Sequence, residues 1–306
     1  MAKEAVQKRR TPSSEPLLAQ TKGLLRRFHL QARKSLGQHF LIDGDVLGQI
    51  TAAAEITASD IVMEIGPGLG VLTRELARQA GLVIAVELDN QLAAILDQTM
   101  AACGNVAVIN KDILEIEPAV LLEGQKGLVA PAAQPLSYKV VANLPYYITA
   151  AVLRHFLEAS IKPQIMVVMV QKEVAEAIVA KPGDMSLLSI SVQFYGKPEI
   201  ISYVPAQCFY PPPEVDSAVL RIDLYTESAV AVTDVNSYFR LVQDGFSSPR
   251  KQLANSLSRR LALPKSDVVS LLERAGIVPQ RRAETLSLDE WARLWQVFIP
   301  AGKKTC

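Results

Sequence analysis

Apolar and polar positions change rhythm along this chain of 306 residues, and the changes mark out its parts. Residues 1 to 33 carry few apolar positions among Lys, Arg, Pro, Ser and Gln, so they are expected to form a basic, disordered tail. From Ile61 onward, short unbroken apolar runs alternate with amphipathic stretches. Ile61 to Ile65, Leu82 to Glu87 and Val106 to Asn110 predict buried strands, and Val71 to Ala80 and Gln91 to Ala101 predict helices between them. This β-α-β-α-β order is the mark of a parallel sheet covered by helices. A Gly/Pro/Gln-rich insertion at Glu123 to Pro135 reads as a surface loop. Beyond it, Tyr138 to Ala142 and Gln164 to Val170 predict two more strands, with a helix over Ile148 to Ala159. Ile200 to Val204 and Ser217 to Asp223 bring the expected total to seven strands.

After about Ser228 the strand pattern stops. Phe239, Val242 and Phe246, then Leu253, Leu257 and Leu261, then Trp291, Leu294 and Trp295 fall at helical spacing. The expected organisation is therefore a tail over 1–33, an α/β domain over 34–228 with a seven-stranded sheet flanked by helices, and a small all-helical domain over 229–306.

Composition narrows the picture. The longest apolar run, Ile165 to Val170, is far short of the roughly 20 residues a membrane helix needs, and no apolar signal core follows the basic start. A cytoplasmic protein with no membrane partner is expected. Cys103, Cys208 and Cys306 are widely spaced, and the chain holds only three histidines, so neither a metal site nor a disulfide framework is expected. The net charge is only +1, but residues 1 to 34 hold nine Lys/Arg against two acids, and residues 234 to 306 twelve against seven. The body between them is left at −11. Two basic ends on an acidic body suit a polyanion, whose neutralised phosphates release counterions.

Gly66-Pro67-Gly68-Leu69-Gly70 follows the first strand and opens the first helix, where the chain must turn sharply and let a ligand approach its backbone. Glu87 ends the second strand, in place to accept hydrogen bonds from ribose hydroxyls. The spacing departs from the dinucleotide fingerprint G-x-G-x-x-G, because the third glycine comes one residue early. A nucleoside site without a pyrophosphate turn is the better fit, and Asp112, after the third strand, is placed to accept from an adenine amino group. Glu87, Asp112 and the glycine turn resemble the layout of methyltransferases that use S-adenosylmethionine.

Strand four runs into Asn143-Leu144-Pro145-Tyr146, beyond the carboxyl edge where open α/β sheets bind ligands. An adenine amino nitrogen is a poor nucleophile, because its lone pair is conjugated with the ring. Acceptors aimed at its N–H bonds localise that pair. The Asn143 side-chain oxygen and the Leu144 carbonyl fit this task, Pro145 stiffens the turn, and Tyr146 offers a ring on which a flipped base can lie.

Five segments carry a closer likeness: Gly37-Gln38-His39-Phe40-Leu41, Glu64 to Gly70, Asn143 to Ile148, Gln171 to Ala175, and Phe209-Tyr210-Pro211-Pro212-Pro213-Glu214-Val215-Asp216-Ser217. Together they resemble the KsgA (RsmA) family, which dimethylates two adjacent adenosines in the 3′-terminal hairpin of small-subunit (16S) ribosomal RNA. The resemblance implies a Rossmann-like methyltransferase sheet, S-adenosylmethionine as methyl donor, four transfers per RNA, and a monomer acting on a maturing small subunit. It implies that His39, Leu41, Gly66, Gly68, Glu87, Asp112 and Asn143 hold the cofactor. Phe209 is expected to oppose Tyr146 across the target base. Two positions depart from the family: His39 stands where Asn is commoner, and Phe246-Ser247-Ser248-Pro249-Arg250-Lys251 has fewer arginines. Arg250 and Lys251, with Arg259 and Arg260, are the RNA-binding candidates. The alternatives are methylation of an adenine in large-subunit RNA, as by the related Erm enzymes, a mainly non-catalytic assembly factor, and a nicotinamide dehydrogenase resting on the glycine turn alone.

Overall fold

A computed structural model describes residues 16–33, 36–125 and 137–302. Nine strands run in chain order: β1 (Phe40–Leu41), β2 (Ile61–Ile65), β3 (Leu82–Glu87), β4 (Val106–Asn110), β5 (Tyr138–Asn143), β6 (Ile165–Gln171), β7 (Gly196–Val204), β8 (Phe209–Tyr210) and β9 (Ser217–Leu224). Seven form one sheet in the order β4-β3-β2-β5-β6-β9-β7, matching the expected seven within a few residues at each end. The first five are parallel, and β9 joins β6 and β7 antiparallel.

Helices cover both faces, so β2 and β3 are buried along their whole length and read as unbroken apolar runs. Alternate residues serve opposite layers. Met63, Ile84, Val140 and Val168 pack on one side, while Val62, Val83, Val141 and Val167 pack on the other. Lys139, buried at the amino-terminal end of β5, is compensated by Asp60 Oδ2 at 2.9 Å and the Glu55 carbonyl at 2.6 Å. The chain winds outward from β2 to β4 and returns at β5, which creates a crevice at the carboxyl ends of β2 and β5.

The helices Val235–Phe246, Leu253–Leu261, Lys265–Arg274 and Leu288–Gly302 surround a second core around Tyr238, Leu257, Leu272, Trp291 and Trp295. This core also takes in Ile190 and Phe194 of the helix Leu187–Tyr195, so the helical layer is rooted in the sheet-bearing half.

The expected tail is partly structured. Leu17–Arg27 is a helix whose Thr21 and Leu25 are buried. Leu17, Thr21, Leu24, Leu25 and Phe28 recur every three or four residues, a narrow stripe that the surrounding cations conceal. Leu25 packs with Phe40, Leu69 and Leu92. Residues 1–15 lie outside the described residues, as does most of the insertion expected at Glu123 to Pro135. Its first two residues close the helix Pro118–Gly124.

Candidate active site

Ile65 pairs with Val86 on one side and Ala142 on the other. The residues that follow, Gly66, Glu87 and Asn143, therefore emerge side by side from strands about 4.8 Å apart. This row floors a cleft of about 280 Å³ whose wall also includes His39, Leu41, Gly68, Asp112 and Tyr146. All seven residues expected at the cofactor thus line one cavity.

The glycine turn is shaped as its sequence requires. Gly66 and Gly68 have φ of +68° and +57°, a region L side chains rarely adopt, and a Cβ on Gly68 would press on the Phe40 ring at 3.2 Å. Glu87 ties the turn to its own strand. Its Oε2 accepts from Gly68 N–H at 3.0 Å and its Oε1 from Asp89 N–H at 2.9 Å. Burial raises the Glu87 pKa above the usual carboxylate value, and these two backbone donors oppose that rise. Asp112 lines the cleft while capping the turn Ile113–Glu115, its Oδ1 accepting from Leu114 N–H at 2.9 Å.

The Asn143 turn is held on every side. Asn143 Nδ2 donates to the His39 carbonyl at 3.0 Å. A carbonyl can only accept, so the amide orientation is determined, and Oδ1 is left as the acceptor. Leu144 N–H donates to the Met169 carbonyl at 3.2 Å, which fixes the peptide plane. Tyr146 OH meets Ser217 Oγ at 2.7 Å. Burial raises the Tyr146 hydroxyl's pKa, so it stays neutral at physiological pH.

Phe209 departs from expectation. It is only 2% exposed, is absent from the cleft wall, and packs in the core with Leu41, Val141 and Met169. The cause is strand alternation: β8 pairs with β1, Leu41 opposite Phe209, which turns Phe209 inward. The ring that lies nearly parallel to Tyr146 is His39, at 6.0 Å between centroids and 20° between planes. Its Nδ1 donates to the Pro211 carbonyl at 2.8 Å. The RNA-binding candidates lie away from the cleft wall. Arg250, Lys251, Arg259 and Arg260 are exposed, and Arg260 Nε also donates to Asp244 Oδ1 at 3.0 Å.

Among the lining residues not expected as site residues, Tyr147, Gln38 and Glu64 carry polar groups with a bearing on the cleft. Tyr147 is 60% exposed, and Gln38 Nε2 donates to Asp89 Oδ2 at 3.1 Å. Glu64 is fully buried, and its signal was present as the one charge inside an apolar strand. Burial pushes the Glu64 carboxyl up to about 8; hydrogen bonding from Thr73 opposes this and the Glu87 charge adds to it. Between pH 4.5 and 8 the folded chain keeps a proton that the unfolded chain releases, so stability declines as pH rises through that window. Glu64→Gln removes the titration. Its melting temperature is expected to gain on the parent's more at pH 8 than at pH 5, read by differential scanning fluorimetry at both values.

The family model described as ribosomal RNA adenine dimethylase matches residues 29–299. The chain is 50% identical over 288 residues to the ribosomal RNA small subunit methyltransferase A of Dehalococcoides mccartyi, covering 94% of each chain. It is 44% identical to the protein of that name from Moorella thermoacetica, covering 93% of this chain and 96% of the relative. Among solved structures, a dimethyladenosine transferase from Plasmodium falciparum superposes with a TM-score of 0.71 at 25% identity, covering 86% of this chain and 98% of the other. The 23S rRNA methyltransferase ErmE superposes with 0.65 at 28% identity, covering 84% and 98%.

Proposed function

Because the chain belongs to the ribosomal RNA adenine dimethylase family, we propose that its cleft dimethylates two adjacent adenosines in the 3′-terminal hairpin of small-subunit ribosomal RNA. The chain is an rRNA adenine dimethyltransferase, and the small-subunit reading is favoured over the large-subunit one by 50% against 28% identity.

The residues of the cleft suit S-adenosylmethionine. Gly66 and Gly68 leave bare backbone against which a nucleoside can lie, Glu87 keeps a second lone pair on each oxygen for ribose hydroxyls, and Leu41 and Ile113 give apolar wall. When bound, S-adenosylmethionine supplies a methyl group on a sulfonium centre, an electrophile that needs only an aligned nucleophile.

The Asn143 amide is the observation that carries the reading. With Nδ2 taken by the His39 carbonyl, Oδ1 accepts one N–H of the target amino group, and the Leu144 carbonyl accepts the other. The nitrogen lone pair is then drawn out of conjugation. Pro145, at φ −58°, keeps the two acceptors in register, and the ring of Tyr146 provides the face against which the flipped base rests. Rate comes from positioning and not from a strong base. Ser217 steadies that ring. Ser217→Ala is expected to slow methyl transfer about three- to tenfold, the worth of one hydrogen bond, in single-turnover assays with cofactor affinity unchanged. Arg250, Lys251 and Arg259 are proposed to hold RNA beyond the cleft, within a maturing subunit.

Labelled methyl incorporation into immature small subunits and into naked large-subunit RNA tests the substrate. Incorporation into the small subunits is expected. Incorporation into large-subunit RNA alone would overturn the proposal.

A further inference from the structure

The helix Leu17–Arg27 contains Lys22, Arg26 and Arg27 and no acid. None of the three makes an ion pair among the described residues, although the chain between its two basic ends is acidic. The position of the helix is determined by its apolar stripe. Leu25 packs with Phe40, Leu69 and Leu92, all of which line the cleft, so the helix lies directly behind the cleft wall. Lys22 Nζ sits 5.1 Å over the Tyr210 ring, next to Pro211, the residue whose carbonyl holds His39. Arg26 and Arg27 are exposed on the outer side.

Arg33, six residues past this helix, is also fixed. Arg33 forms an ion pair with Asp89 at 3.2 Å and donates to Gln91 Oε1 at 2.8 Å, while its N–H donates to Gln38 Oε1 at 2.8 Å.

We propose that the helix Leu17–Arg27 is a docking element for RNA phosphates, gripping the backbone beside the adenosine that enters the cleft through Arg26, Arg27 and Lys22. This rests on the reading of the cleft as an RNA methylation site. An acidic body repels RNA, so approach is favoured where cations are unpaired and held in place, and counterion release from the contacted phosphates drives the contact. Lys22 and Arg26 stand four residues apart on one helix face, close enough to meet the same stretch of backbone.

The test measures binding of small-subunit ribosomal RNA to the full chain over a range of potassium chloride, for the parent, for Arg26→Ala with Arg27→Ala, and for Lys22→Met, which keeps the packing on Tyr210. Each lost phosphate contact flattens the slope of log affinity against log salt by about 0.7–0.9, so the double variant should lose about 1.4–1.8. At about 0.1 M salt its RNA affinity should fall at least on the order of fivefold. S-adenosylmethionine affinity without RNA should stay within about twofold, because no substituted side chain lines the cleft. Restoring Lys at both positions should restore the slope. An unchanged slope would overturn the inference and leave the helix as a brace for the cleft wall, as would tighter dependence on an acidic protein partner than on RNA. If the parent binds RNA with the expected slope yet transfers no methyl, the docking role stands and the methylation reading fails.

Discussion

Asn143→Ala is expected to lower methyl transfer by at least on the order of a hundredfold, about 2.7 kcal/mol of transition-state stabilisation, while RNA binding stays within about threefold. The split follows from geometry. Asn143 closes β5 beneath the cleft and its Nδ2 is committed to the His39 carbonyl, so the lost atom that matters is the acceptor Oδ1. RNA affinity is proposed to be carried elsewhere, by cations and by the Tyr146 face, and these are untouched by the change. Single-turnover rates and filter binding, measured side by side, separate the two effects. Asn143→Asp is informative as a second variant. It keeps an acceptor but cannot donate to the His39 carbonyl, so the acceptor is no longer held in place. If RNA binding fell as far as the rate, Asn143 would be a brace for the β1 segment.

Glu87→Ala is expected to weaken S-adenosylmethionine binding by on the order of a hundredfold or more, again with RNA binding close to the parent's. The Glu87 carboxylate has two duties. It accepts from Gly68 and Asp89, and its remaining lone pairs face the cleft. Removing it leaves two backbone N–H groups without an acceptor, each at a cost of about 1–3 kcal/mol, and the glycine turn loses its tie to β3. Glu87→Gln should fall between the parent and alanine, because its amide keeps one acceptor oxygen and presents an NH₂ to the other donor. Isothermal titration calorimetry gives the affinities directly. Unchanged affinity in the alanine variant would place the cofactor's ribose elsewhere.

These expectations draw on features unevenly legible in the sequence. The strands are legible because burial on both faces demands unbroken apolar runs such as Leu82 to Glu87, with a single acid at the end that lines the cleft. Gly66, Glu87 and Asn143 could be associated from their strand-end positions alone. Their levelling into one row depends on the pairing of Ile65 with Val86 and Ala142, which no local pattern encodes.

Phe209 shows the opposite case. The motif around it pointed to the target base, but its direction is decided by pairing with Leu41, a partner 168 residues away in sequence, and that pairing turns it into the core. The same pairing brings His39 alongside Tyr146. The helix Leu17–Arg27 was obscured for a different reason. Its stripe is one residue wide in places, and it becomes stable only by docking Leu25 onto Phe40, Leu69 and Leu92, a tertiary gain that composition does not register. Glu64 is legible as the one charge in the middle of a buried strand, but that its burial shifts its protonation depends on the packing around it.

The Asn143 turn is proposed to present two acceptors to the amino group of an adenine in small-subunit ribosomal RNA. Mass spectrometry of nucleosides and mapped fragments from small-subunit RNA, after reaction with the protein and S-adenosylmethionine, tests it most directly, because it reports position and methyl count together. The expected product is N6,N6-dimethyladenosine at two adjacent positions of the 3′-terminal hairpin, absent when Asn143 is alanine. Methylation at a ring nitrogen, at a different base, or undiminished in the alanine variant would contradict the account.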